Sequence, residues 1–341
     1  MLGILNGLKI AFIIVGTTIG AGYASGREIW EFFGSYGQKS SYFILVSMSL
    51  FCLSCYVIME LSYRLGAHHY VYVLEELTGK WIAQVYDLLI LFYLLSTTVV
   101  MFAGSGATLE YWSIPYWLGI ILTAGTVVLV FMRDVESFIN LNSVLIPLLI
   151  VSLLLVCTLF LSKGIEQPQI SVAGSFILPS ALAFTALNIM PLIAVLSALG
   201  SRMSRLEIKV ASITSALILS LISILFNQSL LKVGQDVLVH EIPLFAILRY
   251  FPPAFMALVS LMLLVAIYTT AISNMFGLVT RLKERIALSS PMIVLILTVL
   301  IIPLTKFGFA NLIKILYPLY GVLNLFILAT ILLYPLQHWE S

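Results

Sequence analysis

V-G-T-T-I-G-A-G-Y-A-S-G-R-E, residues 15–28, lies inside an apolar segment that runs over residues 5–33. Gly16, Gly20, Gly22 and Gly26 crowd this stretch, next to Thr17, Thr18 and Ser25. A glycine in a helix interior costs roughly 1 kcal/mol against alanine, so a helix that crosses a bilayer should not be loosened at its middle. Unwound backbone is tolerated at membrane depth only where protein buries it or where it lines a cavity. One reading is a broken helix whose freed N–H and C=O groups bind a solute and an ion. The other is a small-residue packing face of the G-x-x-x-G kind, whose spacing these glycines also fit.

Composition sets the class. The chain has 341 residues, 61% hydrophobic and 9% charged, with a mean hydropathy of +1.12. Soluble domains carry about 25% charged residues, so this is a polytopic membrane protein whose first partner is the lipid bilayer. The net charge of +2 comes with no basic run that could track phosphates, which excludes nucleic acid. The first segment has only Lys9 as a positive flank and is longer than the apolar region of a signal peptide, so it is read as a mature helix. Cys52, Cys55 and Cys157 all sit in apolar segments, and the C-x-x-C pair has no second pair or histidine near it in sequence. His68, His69, His240 and His338 fall in loops or tails. No nucleotide-binding motif and no nucleophile–base constellation is visible, so neither an enzyme nor a cofactor is expected.

A spanning helix needs about 20 apolar residues. By that rule the chain has about ten spans, at 5–33, 40–64, 82–110, 115–132, 135–161, 174–200, 206–231, 252–280, 290–305 and 309–335. Short loops make the whole chain one membrane domain. With the N-terminus inside, the inner loops and flanks hold more of the 17 Lys and Arg than the outer ones, with clusters at Arg202/Arg205/Lys209 and Arg281/Lys283/Arg285. This bias places the protein in the cell membrane with both termini cytoplasmic. Trp81, Trp112, Trp117 and Trp339 sit at span ends as interface anchors. Residues 66–80 and 233–251 each read as a short surface helix. In the second, Leu244, Ile247, Leu248 and Phe251 recur at helical spacing, as either a lid or an interface helix.

The sixth span, S-F-I-L-P-S-A-L-A-F-T-A-L-N-I-M-P-L-I-A-V-L, is the counterpart of the first. Pro191 removes a backbone N–H and disfavours helix at Met190, and Asn188 puts a polar group at mid-depth. A break near 186–191 would lie half a chain from the break near 19–23. Interrupted segments at corresponding positions of two halves are a pointer to a transporter site. An ordinary proline kink is the alternative.

The paired interruptions in a ten-span chain resemble the LeuT fold of the amino acid–polyamine–organocation superfamily. G-T-T-I-G-A-G-Y-A-S-G-R-E-I-W-E-F-F at 16–33 resembles the opening of the YkvI-type membrane proteins. The resemblance implies an all-α integral membrane protein with a five-plus-five inverted repeat. Repeat one would cover about 5–161 and repeat two about 174–335, with helices one and six discontinuous. It implies secondary transport of a small amino-acid-like solute. A sodium site would be built from the carbonyls of Gly16 and Ile19, the carbonyl of Ala266 and the hydroxyls of Thr269 and Thr270, in the A-x-x-T-T of the eighth span. Threonines at mid-membrane also commonly bond back to their own helix. Proton-driven relatives can replace this sodium with a lysine on helix five; here that span has none, and its polar residues are Asn140, Asn142 and Ser143. A proton would have to use Glu60 or Asp87.

The resemblance also places the substrate between the two breaks. N–H groups near Gly20, Ala21 and Gly22 would face its carboxylate, helped by the positive end of the outer half-helix. Carbonyls of Phe184, Thr185 and Leu187 would face its amine, with Asn188 beside them. Phe184 would close the site as an outer gate opposite Tyr93. Tyr23 stands where sodium-coupled neurotransmitter-type members have Asn, which does not favour a second sodium site. Their outer arginine matches Gly26, with Arg27 one position off. Among the charged residues, Glu60–Arg64 and Arg27–Glu31 have i,i+4 pair spacing. Asp87 has no sequence-local partner, and Arg202 or Arg205 is the candidate to neutralise it. A passive facilitator and a sensor that lost transport are the remaining classes. On this reading Gly26, one helical turn outward, should accept alanine more readily than Gly22 accepts valine.

Overall fold

The computed structural model describes residues 2–67, 69–133, 135–165, 176–283 and 287–338, with side-chain environments for all of these but 2, 135–144, 146 and 338. Trp339 and His68, and the side chains of Asn140, Asn142, Ser143 and His338, lie outside that description. Apolar segments of bilayer length fold as helices because no other open structure pairs its backbone groups in lipid. Among the described residues, seven helical segments have the length and hydropathy to span a membrane, and three shorter apolar helices join them, at Gly3–Thr18, Tyr116–Met132 and Pro147–Ser162. Together these are the ten spans.

Span one is in pieces: Leu2–Thr18, Ala21–Ala24 and Arg27–Phe32. Span two is Ser40–Leu65, three Lys80–Tyr111, four Tyr116–Met132 and five Val135–Ser162. Span six is Ile177–Gly200, seven Arg205–Leu231 and eight Pro253–Lys283. Span nine is Ser290–Ile301 extended by a 3₁₀ segment to Phe307, and span ten is Phe309–Leu323 followed by Leu325–His338. Five spans precede span six, so the second half enters from the opposite side. The packing follows this inversion. Span one packs on seven and span six on two, span five on eight and span ten on three, and span three on eight. Each pairing maps onto another, or onto itself, when span n is exchanged with span n + 5. The result is an all-α fold of the LeuT type.

The interruption in span one lies at Ile19–Gly20, where Gly20 is extended (φ −83°, ψ −178°). A second bend follows at Ser25–Gly26, with Gly26 in the left-handed region at φ +81°. Ser25 builds that bend: its hydroxyl donates to the Gly22 carbonyl (2.6 Å) and accepts from the Arg27 N–H (3.2 Å). The outer part of span one is therefore one short turn and a redirected second piece. It is not the half-helix whose dipole was expected to face a carboxylate.

Span six departs from expectation. It is helical without interruption from Ile177 to Gly200, with Pro191 inside. The proline still removes the donor that would have bonded the Leu187 carbonyl. Leu187 and Pro191 both line the central cavity, so the carbonyl that loses this donor belongs to a residue at the cavity and not to one on a lipid-facing side. Close helix crossings hold the span in place. A Cβ on Gly200 would come 2.7 Å from the Met59 carbonyl oxygen on span two, and one on Gly321 would come 2.6 Å from the Ala183 carbonyl oxygen.

The two faces of the bundle differ. On the face away from the termini, Pro243–Leu248 forms a helix that is buried throughout, which argues against an interface helix. Phe245 stacks on Tyr111 (4.1 Å between centroids), and the Leu244 N–H donates to the Ser25 carbonyl (2.9 Å). Glu241 accepts from the Phe309 N–H at the start of span ten (2.9 Å). The terminal face carries ion pairs. Buried Glu60 binds Arg64 (3.0 Å), as its spacing predicts, and also Arg205 (3.3 Å). Asp87 is neutralised by Arg281 on span eight (2.8 Å), not by Arg202 or Arg205, and the Tyr70 hydroxyl donates to the same carboxylate (2.6 Å). Trp81 and Trp117 are exposed at span ends, as interface anchors should be.

Gly26 lacks the tolerance expected from the sequence. Its φ disfavours any side chain, and a Cβ there would lie 2.7 Å from the Phe226 ring. Gly37 has a similar φ of +83° with nothing within 4 Å of its Cβ position. Gly26→Ala should therefore lower the melting temperature of the purified protein clearly more than Gly37→Ala. The latter should cost only the backbone strain, about 1 kcal/mol. Equal melting temperatures for the two variants would show that the bend does not constrain the fold.

Candidate functional site

The break in span one opens onto a cavity of about 570 Å³. Its walls are Gly16 to Gly22 on span one, Tyr93 to Met101 on three, Leu145 to Leu149 on five, Leu187 to Pro191 on six, Ala266 to Asn274 on eight, and Tyr317 on ten. The volume falls in the range of small-molecule pockets, about 300–1,000 Å³.

Backbone geometry explains why span one contributes oxygens here. The Ile19 N–H keeps its helical bond to the Val15 carbonyl (2.8 Å). The Gly20 N–H turns instead to the Thr18 carbonyl (2.9 Å), which leaves the Gly16 carbonyl without its i+4 donor. The next bond across the gap is from the Ala24 N–H to the Gly20 carbonyl (2.9 Å), and the Ile19 carbonyl is also passed over. On span eight, Thr269 and Thr270 both donate their hydroxyls back to the Ala266 carbonyl (3.1 and 2.7 Å). Their protons are thereby committed while oxygen lone pairs remain. Gly16, Ile19, Ala266, Thr269 and Thr270 all line the one cavity.

The expected substrate residues divide. Gly20, Ala21, Gly22, Tyr93, Leu187 and Asn188 line the cavity, with the Asn188 amide donating to the Phe184 carbonyl (2.9 Å). Three others point elsewhere. The Tyr23 hydroxyl is bonded to Ser223 on span seven (2.6 Å). Thr185 pairs with Ser47 on span two (2.7 Å). Phe184 is buried edge-on between Phe32 and Phe33 (5.4 and 5.0 Å between centroids). It belongs to a packed cluster and does not line the cavity. Helical rotation decides these directions, and mid-depth position in the sequence does not reveal it.

Several lining residues were not anticipated. Thr97 accepts from the Asn274 amide (3.0 Å), a polar tie between spans three and eight. Glu28 is the largest omission. Its place beside Arg27 and Glu31 suggests a surface cluster at the outer end of a straight helix, and Arg27 does pair with Glu31 (2.7 Å). In a straight helix Glu28 would rise about 9 Å beyond Gly22. The left-handed bend at Gly26 brings it back, so that its Oε1 occupies the space a Gly22 Cβ would need, with the Tyr317 hydroxyl 3.0 Å from the same point. The region assigned to a substrate carboxylate thus already holds a carboxylate of the protein.

The glycine contact can be measured. Gly22→Ala should expel the Glu28 carboxylate and lower stability, by about 1–3 kcal/mol as an overpacking substitution. The Glu28→Ala background should remove most of that loss, giving a coupling energy well above the additive expectation. Additive melting-temperature changes for the double variant would show that the two residues do not touch.

No protein-family model matches the chain. It is 42% identical over 336 residues to the uncharacterized protein YyaD of Bacillus subtilis (strain 168), covering 98% of both chains. It is 29% identical over 332 residues to the uncharacterized membrane protein YkvI of the same organism, covering 95% of this chain and 94% of YkvI. Among solved structures, MhsT in complex with L-phenylalanine superposes with a TM-score of 0.66 at 15% identity, over 94% of this chain and 88% of MhsT. Mhp1 in its inward-facing conformation gives 0.63 at 13% identity, over 95% of this chain and 75% of Mhp1. Sequence identity sustained over nearly the full length, on a LeuT-type fold, carries the conclusion that the chain belongs to the family of YyaD and YkvI.

Proposed function

We propose that the protein is a secondary transporter that moves a small amino-acid-like solute across the cell membrane by alternating access, with Na⁺ as the coupling ion. The observation that carries this is the cavity at the interrupted span. It joins freed carbonyls of span one to a pair of hydroxyls on span eight. Its far side is filled by the phenylalanine cluster and the buried 243–248 helix, and its lining reaches Phe12, Ile13 and Asn274 toward the terminal face. A bundle filled on one side of a central site and hollow on the other is what one state of an alternating-access cycle requires. The bias of Lys and Arg toward the terminal face supports placing that face, and both chain ends, in the cytoplasm.

The donor set suits sodium. A dehydrated Na⁺ favours several neutral oxygens, and the carbonyls of Gly16 and Ile19 with the hydroxyls of Thr269 and Thr270 offer them without a buried charge. The Ala266 carbonyl already accepts both hydroxyls, so its recruitment as a ligand requires those hydroxyls to rotate away. The fold neighbours support transport. MhsT was solved with L-phenylalanine, which is consistent with an amino-acid-like solute here.

Coupling is tested first by binding. At equal ionic strength, Na⁺ should raise the melting temperature of the purified protein above that in K⁺, by mass action on the folded state. Thr269→Ala and Thr270→Ala should each weaken the apparent Na⁺ affinity about tenfold, the loss of one hydroxyl ligand worth about 1.4 kcal/mol. In proteoliposomes, uptake from an amino-acid panel should follow an inward Na⁺ gradient. Uptake that is equal in Na⁺ and K⁺ and driven by a pH gradient alone would sink sodium coupling.

A further inference from the structure

Among the described residues, Glu28 is the one charged residue in the cavity lining. It is 6% exposed, and no ion pair or side-chain hydrogen bond to it occurs among the described residues. Its neighbour Arg27 is committed to Glu31, and Lys314 on span ten is exposed. A carboxylate withdrawn from water without a positive partner is strongly disfavoured. Such a carboxyl is neutralised by one positive charge, brought either as a proton or by a bound species. The surroundings indicate what kind. Tyr317 reaches the same space over Gly22 as the carboxylate does, and Tyr93 lines the cavity with its ring held edge-on by Tyr320 (5.3 Å between centroids). A carboxylate next to aromatic rings is the chemistry that recognises an organic ammonium group. A proton alone would need neither the rings nor a cavity of about 570 Å³. The neutral carbonyl and hydroxyl oxygens suited to Na⁺ belong to a separate set on spans one and eight.

We propose that Glu28 binds the ammonium group of the transported solute, which makes the substrate class a small primary amine or amino acid and excludes solutes that carry only a carboxylate. The word "transported" rests on the function proposed above; the binding assignment does not. It also reverses the polarity expected from the sequence, since the outer part of span one then meets the substrate's amine instead of its carboxylate.

The test uses the purified full-length protein and two sets of probes matched in shape. L-leucine is compared with isoamylamine and isocaproate, and L-phenylalanine with phenethylamine and 3-phenylpropionate. Amines or amino acids should raise the melting temperature, and the acids should not. Glu28→Gln should weaken amine affinity at least tenfold. Its melting temperature without ligand should be no lower than that of the wild type, because an unpaired buried charge has been removed. Glu28→Asp, which keeps the charge on a shorter arm, should lose less. The proposal is overturned if no amine or amino acid in the sets stabilises the wild type, if the acids bind as well as the amines, or if Glu28→Gln keeps its amine affinity. Loss of pH-driven uptake with amine affinity intact would assign the carboxylate to a proton and overturn it as well. Amine binding without uptake in proteoliposomes would remove transport and leave the Glu28 assignment. Normal uptake by Glu28→Gln would do the reverse.

Discussion

A backbone carbonyl at mid-membrane can be satisfied only by protein, by water in a cavity or by an ion. The gap at Ile19–Gly20 leaves the Gly16 and Ile19 carbonyls in that position, and the surrounding structure meets the demand they create. Spans three, six, eight and ten wall the gap off from lipid. The Tyr23–Ser223 bond holds the displaced piece of span one against span seven, and Ser25 closes the bend that follows. Each of these features would be a defect in a continuous helix. Around a break they form one set of mutually dependent contacts.

The halves of the bundle share an inverted packing plan, yet only one of the two central helices is broken. Glycine and proline act differently here. The glycines of span one lower the cost of leaving the helical region altogether, and Gly26 takes a φ that other residues resist. Pro191 keeps a helical φ and subtracts one donor, so span six stays helical and the Leu187 carbonyl loses its i+4 partner. The symmetry of the fold is thus preserved in packing and given up at the site, where the two helices supply different numbers of free backbone groups.

The faces of the molecule are held by different forces. The far face is closed by apolar burial: the 243–248 helix, Phe245 on Tyr111, and Phe184 between Phe32 and Phe33. Only a few directed bonds, such as Leu244 to Ser25 and Glu241 to Phe309, tie that plug to spans one and ten. The far face also carries the Arg27–Glu31 and Arg249–Asp236 pairs, and the terminal face is tied by Glu60 with its two arginines and Asp87 with Arg281. Apolar surfaces separate without leaving specific groups unpaired, whereas separating Arg205 from Glu60 or Arg281 from Asp87 leaves charges that need new partners, water among them.

Bilayer thickness and backbone satisfaction act along the chain, so the ten spans, their boundaries and the interruption of span one were legible in the residues themselves. The i,i+4 pairs at Arg27–Glu31 and Glu60–Arg64 were legible for the same reason, since a helix makes them neighbours without help from elsewhere. What depends on the rotation of one helix against another was not. Phe184 and Thr185 lie at the right depth and face away from the cavity, while Thr97 and Asn274 face into it. Asp87 found its partner 194 residues away, beyond any local pattern. Glu28 shows the limit most clearly. Its type and position were in plain view, but the left-handed turn at Gly26 and the space over Gly22 decide where its charge sits. Both are set by packing against Phe226 and Tyr317, which only the folded chain brings to that spot.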